Sequence, residues 1–307
     1  MRLNSTAQFD NAPGANRFIE ARPLTAAMGA EIRDVDLAKL NDDQFAEIRH
    51  ALFRHKMLYF RGQKLTHAQH EAFSLRFGAF AEDAYTSGIP GHPNVHPLIK
   101  EASDSSGRVF GEGWHTDSPF LPQPPAITSL RSIEIPPYGG DTTWSNAALA
   151  YAALSETFKQ MIGTLRVHFS LRDVLSAVQQ TVAASDSPLG RLAATRSAAT
   201  LSEDLQRKIR GSFHPMVRTH PVTGEKSLYV DPTYALGIEG MQPEEAGPIL
   251  DYLCAHGTQP FLGCRLRWEP DMLVLWDNRL CLHRAYNDYQ GYRRELYRTT
   301  VVGETPT

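Results

Sequence analysis

Cysteine is scarce in this chain: Cys254, Cys264 and Cys281 are all it has in 307 residues. An odd number with no Cys-x-x-Cys excludes a disulfide framework and argues against a zinc cluster. Long apolar runs are also missing. None approaches the ~20 residues that span a bilayer, and the polar stretch Met1–Arg17 lacks the apolar segment of a secretory signal. No membrane partner and a cytoplasmic location are therefore expected. Neither sign of charge dominates, with 31 Lys and Arg against 34 Asp and Glu and no basic block. Nucleic acid is accordingly not an expected partner. Repeats and low-complexity segments are absent too. What remains is an ordinary globular composition, 42% hydrophobic, ample for one large core.

Periodicity sketches the elements. Asn41 to Lys56 reads as an amphipathic helix with Phe45, Ile48 and Leu52 on one side and acids in its first turn. Met57–Phe60 reads as a short strand, and Thr66 as the N-cap of a second helix stopping near Gly78. The Gly-, Pro- and Ser-rich stretch 83–113 reads as loops, beside a site mouth or merely on the surface. A strand is expected over Ile127–Ile135, then a turn at Pro136–Gly140 before Thr142-Thr143-Trp144, and helices over 146–154 and 155–164. The segment 170–211 reads either as helix and mobile lid or as an ordinary surface insertion. Later come a strand at Ser227–Val230, a helix with Pro243 near its first turn that ends before Gly257, and strands at Arg265–Trp268, Met272–Trp276 and Leu296–Val302. Many short strands with flanking helices predict a mainly β protein with a closed or sandwiched core. The expected organisation is a flexible arm, 1–17, and a single domain, 18–307, with lid insertions near 83–113 and 170–211.

The chemistry concentrates in Trp114-His115-Thr116-Asp117, His283 and Arg294. In an extended strand His115 and Asp117 point to the same side. Two imidazoles and one carboxylate on one face of an Fe(II) leave the opposite positions open, as in non-haem oxygenases. A lone His-x-Asp is usually a surface pair, and a lone late histidine usually a hydrogen-bonded core or loop residue. Their combination with Trp276-Asp277-Asn278-Arg279 leading into His283, and with Arg294 behind it, favours the metal. Arg294 offers a planar fork suited to a carboxylate. Cys281, two residues before His283, reads as a small buried apolar residue more readily than as a reactive one.

These ligands, together with Gly139-Gly140-Asp141-Thr142, His214-Pro215-Met216-Val217-Arg218-Thr219-His220-Pro221 and Arg293-Arg294-Glu295-Leu296-Tyr297-Arg298, make the chain resemble the TauD/TfdA family of Fe(II)- and 2-oxoglutarate-dependent dioxygenases, from about Ile19 onward. The resemblance implies a double-stranded β-helix, the jelly-roll. It implies Fe(II) held by His115, Asp117 and His283, with 2-oxoglutarate and O2 as co-substrates, succinate and CO2 as products, and hydroxylation of a small anionic substrate. Arg294 takes the position that pairs with the distal carboxylate of 2-oxoglutarate, Thr142 one that hydrogen-bonds to it, and Arg298 one that meets the substrate's acid. A homo-oligomer, dimer or tetramer, is compatible with it.

Strand alternation bears on Arg298 independently. It shares a face with Arg294, roughly 13 Å along the strand, while Arg293 and Glu295 face the other way. A second inward cation calls for a second anion, either the substrate's or an internal Asp or Glu. The segment Phe77-Gly78-Ala79-Phe80-Ala81-Glu82-Asp83 lacks the histidine of taurine-specific relatives. Arg108-Val109-Phe110-Gly111 and Ile238-Glu239-Gly240-Met241 look more like the aryloxyalkanoate branch. Sulfonates and aryloxyalkanoate-like carboxylates are therefore the expected substrates. Alkyl sulfates or amino-acid-like metabolites, or a non-catalytic β-barrel binding protein, are the alternatives.

Overall fold

The strand Met57–Phe60 is buried along its whole length, and its alternation sets the layers. Leu58 and Phe60 pack with Ile48, Leu52 and Phe73 of the helices Asp42–His55 and His67–Leu75. Met57 and Tyr59 turn the other way, into a cluster with Trp144, Cys264 and Leu266 of a second sheet. Fully burying one such large apolar side chain contributes ~1.5–3 kcal/mol, so this two-sided strand ties a helical layer to a β sandwich. Both helices start where a side-chain cap ends the preceding extended chain: Asn41 and Thr66 each form a reciprocal capping box with the glutamine three residues on.

The chain is described here by a computed structural model over residues 8–83, 88–104, 109–181 and 203–307. The larger sheet runs, in spatial order, Glu20–Pro23, Ala30–Arg33, Met57–Phe60, Leu273–Asp277, Ile127–Glu134, Arg294–Val301 and His96–Lys100. All its pairings are antiparallel except Ala30–Arg33 with Met57–Phe60. Strands from both ends of the chain alternate in it, which ties the two halves together. The smaller sheet, Gly263–Leu266, Thr142–Asn146 and Cys281–Ala285, faces it. Trp144 and Trp276 meet edge to face between them, 5.7 Å apart. The expected mainly β jelly-roll architecture is present as two facing sheets that do not close into a continuous barrel.

Several expectations need correction. The stretch 83–113 is not all loop, because His96–Lys100 is the edge strand paired with Arg294–Val301. Its Pro97 is tolerated there since an edge strand leaves one row of amides unpaired. The arm expected over 1–17 is anchored at Asn11, whose buried amide donates to the Thr25 and Gly29 carbonyls and whose oxygen meets His55 Nδ1 at 2.6 Å; residues 1–7 lie outside the described residues. Of the segment 170–211, Arg172–Thr181 and Glu203–Arg210 are helices, and 182–202 lie outside the described residues. Another sheet, Ala235–Ile238, Arg166–Phe169 and Ser212–Pro215, was not anticipated. Among the described residues no helix is long and apolar enough to cross a membrane.

Candidate metal centre and its two arginines

His115 and Asp117 do not lie in a strand, contrary to expectation. Positive φ at Gly111 and Ser118, +79° and +46°, interrupts extended chain on either side of them. The loop instead touches the smaller sheet through one antiparallel bridge, His115 with His283. The His115 amide donates to the His283 carbonyl at 3.0 Å, and the His283 amide returns the bond at 2.8 Å. Backbone pairing thus joins the two halves of the motif across 168 positions of sequence, and the rings follow, with centroids 4.2 Å apart.

One ligand atom each from His115, Asp117 and His283 lie within 4.8 Å of one another, the one such group among the described residues. Both Nε2 atoms sit 3.8 Å from Asp117 Oδ1. His115 Nδ1 lies 2.7 Å from the Gly113 carbonyl, an acceptor only, so it carries the proton and leaves a lone pair on Nε2. Burial holds His115 below the usual histidine range and pulls His283 down to about 3, with His115 adding to the effect. Burial opposes ionisation of Asp117, but His283, Arg298, His115 and the Thr128 hydroxyl outweigh it and keep the carboxylate ionised. Two neutral imidazoles and one carboxylate, all buried, are the donor set that suits Fe(II).

The support around these ligands was mostly unread in the sequence. The Thr128 hydroxyl donates to Asp117 Oδ2 and accepts from the Asn278 amide at 2.8 Å. Asn278 in turn accepts from Trp276 Nε1 and, through its carbonyl, from the Thr116 hydroxyl, both at 2.8 Å. Asp231 caps the turn behind the loop, accepting from the Thr233 and Tyr234 amides at 2.9 and 2.7 Å. Thr233 hydroxyl then donates to the Trp114 carbonyl at 2.7 Å. Asn278 lay inside a quoted motif; Thr128 and Asp231 carried no spacing signal that could have found them. Cys281 is buried with its thiol on the Asp277 carbonyl and pushed up by burial, so it is inert.

Arg294 is buried between Trp268 and Tyr289, its guanidinium carbon 5.7 and 5.9 Å from their ring centres. Its Nε and one terminal nitrogen have no hydrogen-bond partner among the described residues, and burial lowers its pKa. A buried guanidinium with open donors is costly unless an anion completes it. Gly140, at φ +68°, makes room, since a Cβ there would stand 3.3 Å from Arg294 Cδ and Nε. Thr142 is buried and accepts from Trp268 Nε1 at 2.9 Å, which leaves its own proton for a second acceptor. Arg294 and Thr142 thus both contact Trp268. The pair fits a small dicarboxylate.

Arg298 faces inward as the alternation predicts, with Nη1 3.9 Å from Asp117 Oδ1. Of the two counter-anions open for this cation, the internal one is present, with Asp83 Oδ2 2.5 Å from Arg298 Nη2. His96, the cross-strand neighbour of Arg298, holds Nδ1 3.8 Å from the same oxygen. Arg298 therefore comes with an internal counter-ion. In the sequence, the segment around Asp83 stands out only for the histidine it lacks.

The chain matches the family described as "Taurine catabolism dioxygenase TauD, TfdA family" over residues 20–300. It is 31% identical to an "Alpha-ketoglutarate-dependent sulfate ester dioxygenase" of Pseudomonas putida, across 98% of this chain and 95% of that one. An "Alkylsulfatase" of Acinetobacter baylyi is also 31% identical, across 94% and 86%. A crystal structure of a taurine dioxygenase from Burkholderia xenovorans superposes with a TM-score of 0.76 at 36% identity, covering 95% of this chain and 93% of that one.

Proposed function

The chain belongs to the TauD/TfdA family of dioxygenases, and on that footing we propose that it uses Fe(II), 2-oxoglutarate and O2 to hydroxylate a C–H bond of a small organic anion, releasing succinate and CO2. The observation that carries this reading is the convergence of the buried His115, Asp117 and His283, together with a buried Arg294 whose open donors suit an anion. Iron and 2-oxoglutarate, when bound, supply the oxidising chemistry with O2. The protein's own residues do the rest. His115 and His283 offer neutral nitrogens, and Asp117 offers the oxygen that Thr128 does not occupy. Arg294 would hold the distal carboxylate of 2-oxoglutarate with its open donors, and the Thr142 hydroxyl would donate to the same molecule. Trp268 and Tyr289 exclude water from that ion pair. Arg298 meets the acid of the substrate and so aims its C–H bond at the metal.

The sulfate ester relatives make alkyl sulfates the first probes, followed by sulfonates and aryloxyalkanoates. Aerobic protein with Fe(II) and 2-oxoglutarate should release succinate, and the right acid should stimulate that release while its neutral analogue does not. Asp117→Ala should lose iron binding, read by anaerobic titration, and nearly all turnover while circular dichroism stays native. Wild-type iron affinity in this variant would reject the metal site; equal turnover of acid and neutral analogue would reject the role of Arg298.

A further inference from the structure

We propose that Asp83 is a specificity-determining residue that lowers the affinity of the substrate side for anions by holding a fixed negative charge on Arg298. The proposal rests on the reading of Arg298 as the group that meets the substrate's acid, and deepens it. The Asp83–Arg298 pair is enclosed, with side chains 2% and 7% exposed. Its guanidinium lies between two carboxylates, Asp83 at 2.5 Å and the metal-side Asp117 at 3.9 Å, with the Phe110 ring 5.3 Å away. An acid that approaches Arg298 must share its charge with Asp83. Two like charges ~5 Å apart at an effective dielectric of ~20 repel enough to weaken binding by roughly a hundredfold.

The charge is tied in place on both sides of the chain. The Ala81 amide donates to the Thr300 carbonyl at 2.9 Å, on the same strand that carries Arg298. Glu82 turns outward to Arg207 and Lys208 of the helix Glu203–Arg210, at 3.2 and 3.3 Å, while Asp83 turns inward. Asp83 is thereby set against Arg298 by bonds that its own ion pair does not make. A plain anion meets a guanidinium that already carries a counter-charge. An acid that also carries an ammonium group restores the balance, its cation facing Asp83.

The probe is inorganic sulfate, titrated calorimetrically into anaerobic protein loaded with Fe(II) and 2-oxoglutarate. Asp83→Asn, or Asp83→Ser if the first does not fold, should bind sulfate at least tenfold more tightly than wild type, and Asp83→Glu should not. Arg298→Gln should abolish the binding gained. Unchanged, weaker or undetectable sulfate binding in the folded neutral variant would overturn the proposal and leave Asp83 as a residue that merely orients Arg298. Sulfate binding to the Asp83→Asn, Arg298→Gln double variant that equals that of Asp83→Asn alone would overturn the reading of Arg298 itself. Wild type supplies a check that needs no variant: 3-aminopropanesulfonate should bind more tightly than propanesulfonate, and the reverse order counts against Asp83.

Discussion

Arg294 shows how a single side chain carries an expectation from sequence to chemistry. Its guanidinium is buried with open donors, and lysine cannot reproduce a planar fork. Arg294→Lys should therefore lose one charge-assisted bond, ~1.5–3 kcal/mol, and raise the apparent 2-oxoglutarate requirement roughly tenfold to a hundredfold. An unchanged requirement in steady-state assays would mean that another cation holds the co-substrate. The ligands and both arginines were legible because each is chemically distinctive and spaced within short motifs. Thr128, Asn278 and Asp231 were not, since a threonine, an asparagine or an aspartate that braces a ligand looks like any other until the fold brings it close. Asp83 was illegible for another reason: its partner Arg298 lies 215 positions away, and backbone pairing of Phe80 and Ala81 with Val301 and Thr300 brings the two together.

Among the elements, the turn Gly139-Gly140 does more than reverse the chain. At φ +68° a side chain costs about 1–2 kcal/mol, and here its Cβ would crowd Arg294. Gly140→Ala should lower the unfolding free energy by about that much and also raise the 2-oxoglutarate requirement severalfold. Loss of stability alone would show that Arg294 has room to yield. Helices announced themselves through apolar periodicity and first-turn acids, as after Asn41, or through a cap, as at Thr66, within a residue or so of the observed starts. Strands buried on both faces, such as Leu273–Asp277, stood out as apolar runs. Short strands such as Arg166–Phe169 and Val217–Thr219 gave no such signal, because three or four residues contain too little alternation and owe their pairing to neighbours. The strand reading of His115–Asp117 failed for the local reason that Ser118 and Gly111 bend the loop, yet the bridge to His283 brings the same atoms together.

For the molecule as a whole, buried histidines set the response to acid. Burial drives His55 and His214 down to about 4, and His70 and His283 to about 3, from an ordinary 6.5. As pH falls below that ordinary value the unfolded chain takes up protons that the folded one refuses. Stability is thus whole above pH ~6.5 and is lost toward pH 4, by up to about 1.4 kcal/mol per pH unit for each histidine. Asp231 acts oppositely: burial raises it to about 7, so its contribution declines as pH rises from about 4 to 7, offsetting about one histidine. The urea midpoint of metal-free protein should therefore fall steeply between pH 6.5 and 5, and His70→Gln should flatten that slope by one histidine's share. A midpoint that stays level across this range would contradict the sign.

The paired backbone bonds between His115 and His283 also fix the order of events at the metal site. Each ligand's amide is held by the other ligand's carbonyl, so the two rings are brought together when the loop docks on its strand, before any ion arrives. The entropy of gathering distant ligands is settled during folding, and an ion has only side-chain rotations left to organise. Stripping the metal should then empty a nest that keeps its shape: both histidine amides would stay shielded from deuterium, loaded or bare, and would open to solvent together.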